Sequence, residues 1–177
     1  MVPEARLERT DQGGLVPRGD GWYILNAREA PWENGEELGG YYTRFEGDVR
    51  FPHYGFNVNV LAPGQVACMY HGEEGQEDFL VVAGECLAIV EGEERTLRTW
   101  DLLHCPPWTE HVFVGAGDGP CVIIGAGARN AGDGIVYPAN ETARRHGAAV
   151  ELDTSEPHEA YARYARPEPV RYPGLLP

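Results

Sequence analysis

Between residues 22 and 137 the chain is a succession of short apolar or alternating runs, and no window before residue 139 repeats its apolar residues with a helical period. The runs fall at 22–25, 41–46, 55–61, 65–71, 78–83, 85–91, 95–99, 102–105, 111–114, 121–125 and 135–137. Turn residues punctuate most of them: Pro63-Gly64, Gly84-Glu85, Gly92-Glu93 and Gly117-Asp118-Gly119. Short strands at such regular spacing can bury their apolar faces only by stacking sheets or closing one, so the pattern predicts an all-β sandwich or barrel. The 23 glycines and 14 prolines suit a chain with that many turns. In Phe56-Asn57-Val58-Asn59-Val60 three apolar side chains share one strand face and two amides the other. The amides therefore face either solvent or a polar pocket.

The ends read differently. Residues 1–20 are polar, charged and rich in glycine, which predicts a flexible N-terminal arm, and residues 21–138 form the β-barrel. Residues 139–177 are a helical and proline-rich C-terminal extension. Within it, 140–146 is a short helix stopped by Gly147. A second helix is expected from Ser155 as N-cap to about residue 166, with Ala160, Tyr161, Tyr164 and Ala165 on one face. The stretch 167–177 contains too many prolines for a helix and should run extended over a surface.

Charge and cysteine usage exclude several functions. A net charge of −14 leaves no basic face for nucleic acid and disfavours anionic membranes. Every permanently cationic side chain is arginine, so lysine Schiff-base chemistry is excluded. Cys68, Cys86, Cys105 and Cys121 form no C-x-x-C pair and read as buried free thiols. No secretion signal opens the sequence and no apolar run reaches the roughly 20 residues of a membrane span, so a cytoplasmic location is expected.

Chemistry concentrates at residues 70–79, Tyr-His-Gly-Glu-Glu-Gly-Gln-Glu-Asp-Phe. His71, Glu73 and Glu77 supply one nitrogen and two oxygen donors, the ligand types of a borderline or hard divalent metal. Glu74 points to the opposite side from Glu73 if the segment is extended. Well downstream, Asp101-Leu102-Leu103-His104-Cys105-Pro106-Pro107-Trp108-Thr109-Glu110-His111 ends one strand and begins another, placing His111 at a strand start.

With these two segments in place, residues 41–127 resemble the cupin family. Its first motif, G-x(5)-H-x-H-x(3,4)-E-x(6)-G, is matched by Gly64, His71, Glu73, Glu77 and Gly84, with the first gap one residue longer. Its second, G-x(5)-P-x-G-x(2)-H-x(3)-N, is matched in position by Trp100, Pro106, Trp108, His111 and Gly115. Residues 85–99 match the family's short spacing between motifs. Glu73 stands where the family has a histidine, Trp100 and Trp108 where it has turn glycines, and Gly115 where it has asparagine.

The resemblance implies a jelly-roll barrel with a short helical appendage. It also implies a metal held by His71, Glu73, Glu77 and His111, and a homodimer. Two imidazoles and two carboxylates favour Mn, Fe, Ni or Zn over copper. Arg44, between Tyr42 and Phe45, is a candidate clamp for a substrate carboxylate or an ordinary surface residue. His104 either faces the metal or is a satisfied strand histidine, and Trp108 and Phe113 are candidates for the pocket mouth. The implied function is a metal-dependent enzyme on a small polar organic molecule: a dioxygenase, isomerase or decarboxylase. A non-catalytic sensor built on the same pocket is the alternative.

Overall fold

The computed structural model describes residues 1–177 other than 130, 131 and 133. Among the described residues the turns divide the chain into fourteen strands. They are β1 (Arg6–Arg9), β2 (Leu15–Arg18), β3 (Trp32–Gly35), β4 (Gly40–Arg44), β5 (Tyr54–Leu61), β6 (Gly72–Glu73) and β7 (Glu77–Ala83). After these come β8 (Glu85–Val90), β9 (Glu93–Arg98), β10 (Leu102–Cys105), β11 (His111–Ala116), β12 (Cys121–Ala128), β13 (Ile135–Val136) and β14 (Glu168–Val170). A seven-stranded sheet has the order β10-β7-β12-β5-β4-β3-β14, and a three-stranded sheet the order β11-β8-β9. All named pairings within these sheets are antiparallel. The fold is a jelly-roll β-barrel with two short helices, α1 (Glu141–Arg145) and α2 (Pro157–Ala160).

The period of two in each strand sorts its side chains between two environments. Along β11, His111 and Phe113 point into the barrel while Val112 and Val114 join an outer cluster with Ile89, Met69 and Tyr70. Ala143, Ala148, Ala149 and Ala160 of the C-terminal extension cover that cluster. Along β5, Val58 and Val60 lie on the other outer face with Trp32 and Val122. Tyr172, Leu175 and Leu176 pack over them, with the Tyr172 and Trp32 rings 5.6 Å apart. Between the sheets lie Leu61, Val81, Cys86, Ala88, Cys121 and Ile123. Both sheets are thus covered on their outer faces, which leaves the barrel interior free to be partly polar.

Several boundaries differ from the sequence reading. Residues 22–25 are not a strand: Trp22 makes one bridge to Glu4, and Trp22 and Ile24 are 50% and 84% exposed, with no neighbour to bury them. Residues 65–71 form no ladder; they touch β11 through bridges at Val66–Val114 and His71–His111 before entering β6. The N-terminal arm contains an antiparallel hairpin, β1 with β2.

The helix at 141–145 has Asn140 as N-cap, its side chain accepting from the Ala143 amide at 3.0 Å, and Gly147 follows at φ +75°. The second helix stops at Ala160, and its N-cap is Glu156 without a side-chain bond, not Ser155. Tertiary bonds take over where the helix should have continued. The Tyr161 hydroxyl accepts from the Met69 amide at 3.2 Å, and the Tyr164 hydroxyl donates to the Gly147 carbonyl at 3.2 Å. The expected extended C-terminal stretch is present, with β14 pairing β3 and Pro169 in an edge strand where its missing amide is tolerated. No helix among the described residues is long and apolar enough to cross a membrane.

Candidate metal centre

His71 and His111 sit directly opposite each other. The His71 amide donates to the His111 carbonyl at 3.2 Å, and the His111 amide donates to the His71 carbonyl at 2.8 Å. A pair that exchanges both backbone bonds projects its side chains to the same face. Their ring centroids accordingly lie 4.9 Å apart inside the barrel. Each imidazole is oriented in the same way by the carbonyl two residues before it. His71 Nδ1 lies 2.8 Å from Met69 O, and His111 Nδ1 lies 3.0 Å from Thr109 O. A carbonyl only accepts, so Nδ1 carries a hydrogen and Nε2 is the nitrogen turned inward, as in a metal-ligating imidazole.

Glu77 approaches from the other sheet. It opens β7, and its Oε2 is 3.5 Å from His111 Nε2. His71, Glu77 and His111 each offer one donor atom, and these atoms all lie within 4.8 Å of one another. Glu73 reaches this group from its rim: Oε1 is 3.5 Å from His71 Nε2, but its oxygens are not part of the mutually close set. Glu74 turns away, accepting from the Gly134 amide at 3.2 Å, as strand alternation requires.

Above the donors lies a chamber of about 180 Å³ walled by Asn57, Asn59, Cys68, Phe79, Phe113 and Ile123, among others. Glycine makes part of this room. A Cβ on Gly125 would fall 2.7 Å from Asn57 Oδ1 and 3.3 Å from the Phe79 ring. The amides of 57 and 59 therefore face a pocket, with Asn59 Nδ2 donating to Asn57 Oδ1 at 2.7 Å. The chamber adjoins a wider one of about 650 Å³, and the two share Asn57, Asn59, Ala67 and Cys68.

Residues 57–126 match the cupin domain family. The solved structure of KdgF from Halomonas sp. is 23% identical, with a TM-score of 0.51 over 61% of this chain and 96% of that one. The polyketide cyclase RemF from Streptomyces resistomycificus is 12% identical, with a TM-score of 0.51 over 60% of this chain and 80% of that one. The barrel has the cupin fold. No curated protein matches the chain in sequence.

The second motif keeps its turns without its glycines. Trp100 and Trp108 adopt φ +77° and +68°, the left-handed conformation that favours glycine. Gly115, at the asparagine position, admits no side chain, because a Cβ there would fall 2.1 Å from the Ala62 carbonyl oxygen.

The metal-free donors are electrostatically uneasy. Burial and the neighbouring Glu73 charge push the Glu77 carboxyl up to about 7, against the pull of His71. Burial, then the charge on His71, pushes His111 down to about 4. Burial opposes charge on His71, but the Cys68 sulfur and the Glu73 and Glu77 carboxylates outweigh it and hold the ring above the usual histidine range. The hydrogen bond from His71 holds Glu73 below the usual carboxylate range. Two inward Nε2 atoms beside carboxylates from β6 and β7, with a proton held between His71 and Glu73, are an arrangement that a divalent cation relieves by displacing that proton, so the donor set fits such an ion.

The other predicted site residues are scattered. Phe113 lines the inner chamber, its ring 6.0 Å from His111 and 4.8 Å from Phe79. Arg44 lines the outer chamber, over the Tyr42 ring. His104 is exposed on β10 with Nδ1 2.7 Å from Asp78 Oδ1, and it lines neither chamber. Trp108 is 48% exposed; its amide donates to the Glu73 carbonyl at 2.6 Å and its indole rests near Gly134, away from both chambers.

The sequence reading missed Cys68, Phe79, His158, Tyr161, Tyr164 and Arg166 as walls of these chambers. The paired tyrosines of the extension carried a signal, since they lie on one helical face yet that face had no assigned partner.

Proposed function

We propose that this cupin is a metal-dependent enzyme acting on a small polar organic molecule. His71, Glu77 and His111 hold one divalent ion of the Mn, Fe, Ni or Zn type, and Glu73 completes the set by turning from its contact with His71. A bound ion of this kind supplies Lewis acidity to a carbonyl or hydroxyl, or redox chemistry where the metal is iron, consistent with isomerisation, decarboxylation or oxygenation. The observation that carries the reading is the pair of carbonyl-locked imidazoles whose Nε2 atoms face Glu77 at the floor of an accessible chamber.

The remaining residues prepare that chamber for a substrate. Phe79 and Phe113 pack against His111, with Phe79 5.0 Å away, and restrict water around the donors. Asn57 and Asn59 spend one donor and one acceptor on each other and keep the rest for a ligand. Buried Cys105 is no nucleophile, since burial pushes its thiol up to about 12.

Elemental analysis of the purified protein, then calorimetric titration of chelator-treated protein with Mn²⁺, Fe²⁺, Ni²⁺ and Zn²⁺, tests the reading. One ion per chain is expected, with binding lost in His111→Ala and Glu77→Ala. Turnover of a panel of small hydroxy and keto compounds by the loaded protein, absent in the chelated one, tests the catalytic part. Unchanged metal affinity in both variants would overturn the assignment.

A further inference from the structure

The outer chamber is the more unusual of the two. The chain carries 28 acidic residues against 14 basic ones, yet among the described residues no carboxylate lines this chamber. Arg44, Arg166 and His158 line it instead, together with Tyr42, Tyr161 and Tyr164. Arg44 comes from β4 of the barrel, and Arg166 from the C-terminal extension, so the cations face the space from separate elements. Neither arginine forms an ion pair among the described residues. The nearest polar partner of Arg44 is the Tyr42 hydroxyl at 3.5 Å, with its guanidinium 5.4 Å from the centre of that ring. His158 is different, since its Nδ1 lies 3.6 Å from Glu156 Oε2. Glu33 also stands nearby, but it accepts from the Tyr42 hydroxyl and does not line the chamber.

We propose that the outer chamber binds the carboxylate of an organic acid through Arg44 and Arg166, leaving the neutral polar end of that molecule to enter the inner chamber. The proposal rests on the metal-enzyme reading for what happens to the inner end, but not for the binding itself. Three observations converge. Neither guanidinium has an ion-pair partner among the described residues, and the chamber that both line holds no carboxylate. They line the approach to the donors, because the two chambers share Asn57, Asn59, Ala67 and Cys68. The inner chamber holds Glu77, with Glu73 at the rim of the donor group, so positive charge without a neighbouring carboxylate is found in the outer chamber.

That distribution orients a ligand. Glu73 and Glu77 offset the charge of a bound ion at the inner end, so a carboxylate finds its countercharge between the arginines and the neutral polar end is left to reach the donors. Planar guanidinium groups suit a carboxylate, and the tyrosine faces suit an apolar body between the ends. Arg166, His158, Tyr161 and Tyr164 all lie outside the matched domain at 57–126, so the extension supplies much of the recognition.

The test uses benzoate and 4-hydroxybutyrate as probes, with benzamide and 4-hydroxybutyramide as their uncharged counterparts. Binding is followed by ligand-observed NMR against the full chain, both Zn²⁺-loaded and EDTA-treated. At least one acid should bind in both states, about tenfold or more tighter than its amide. Arg44→Gln and Arg166→Gln should each weaken it about fivefold or more, while Arg98→Gln, on β9, should not. Thermal midpoints check the fold of the variants, and should one fail to fold, the acid–amide comparison on the parent protein still decides. Binding of neither acid, equal binding of acid and amide, or indifference to both arginine substitutions overturns the proposal. Acid binding that persists where no metal binds would sink the metal reading and leave this one standing. Metal binding with no acid discrimination would do the reverse.

Discussion

Replacing Glu77 by glutamine should make the metal-free protein more stable at alkaline pH and little more stable at acid pH. The change removes an ionisation and preserves the shape. In the metal-free fold the Glu77 carboxyl is raised from 4.5 to about 7 by burial and by Glu73. Between those values the folded chain keeps a proton that the unfolded chain has released. Stability therefore falls as pH rises from 4.5 through 7, and the penalty is complete at pH 8. The interval corresponds to about 3 kcal/mol at 1.36 kcal/mol per unit. The side chain is only 16% exposed, so little of this is lost to solvent.

His111 contributes a slope of the opposite sign. Its pKa falls to about 4 from 6.5, so its contribution is lost as pH drops through that window. Both proteins contain His111, and the difference between them largely cancels it. Urea denaturation of EDTA-treated protein at pH 5, 6, 7 and 8 should show Glu77→Gln ahead of the parent by about 1 kcal/mol or less at pH 5 and by about 2–3 kcal/mol at pH 8. Zinc should reverse the order, because a ligand present at about 1,000 times its Kd stabilises only the protein that binds it, by about 4.1 kcal/mol. A difference that stays constant across the pH series would refute the argument.

Four further outcomes are expected. Trp100→Gly should raise stability by about 0.5–1 kcal/mol in chemical denaturation, since a left-handed backbone costs a non-glycine residue about 1–2 kcal/mol, glycine's entropy returns part of it, and the indole is 74% exposed. Glu73→Ala should weaken Zn²⁺ binding in calorimetry and Glu74→Ala should not, because Glu74 faces Gly134; equal effects would remove Glu73 from the ligand set. Arg129→Met should cost about 3 kcal/mol in denaturation, because it strands the Glu46 carboxylate, whose side chain is 9% exposed. Sedimentation at micromolar concentration should show a species of twice the monomer mass, and a lone monomer would overturn the dimer expectation.

The sheets were legible because strand alternation and turn residues are local signals. Val58 and Val60 against Asn57 and Asn59 already separated an apolar face from a polar one, and the structure shows the polar face turned inward to a chamber. The two-segment pattern around His71 and His111 likewise placed both imidazoles, since register follows from strand pairing. What local reading misjudged depended on distant partners. The stretch 65–71 looks like a strand, yet finds only two bridges on β11. The second helix has adequate helical residues, but Tyr161 and Tyr164 are claimed by Met69 and Gly147, and the helix ends early. His104 and Phe113 cannot be told apart by residue type or strand position; only the register with β7 and β8 shows that one faces solvent and the other the donors.

The reciprocal backbone bonds between His71 and His111 bear on how such a site diversifies. Main-chain groups hold these two positions opposite each other, whatever side chains they carry. A substitution there changes the donor offered without moving the place from which it is offered. A descendant could thus exchange imidazole for carboxylate, or for an apolar group, and inherit the same spacing across the barrel. Glu73, standing where related motifs have histidine, is one such exchange, made beside an anchored pair and not within it. Chemistry at this floor can drift by single substitutions, while the scaffold that aims it stays under separate selection for folding.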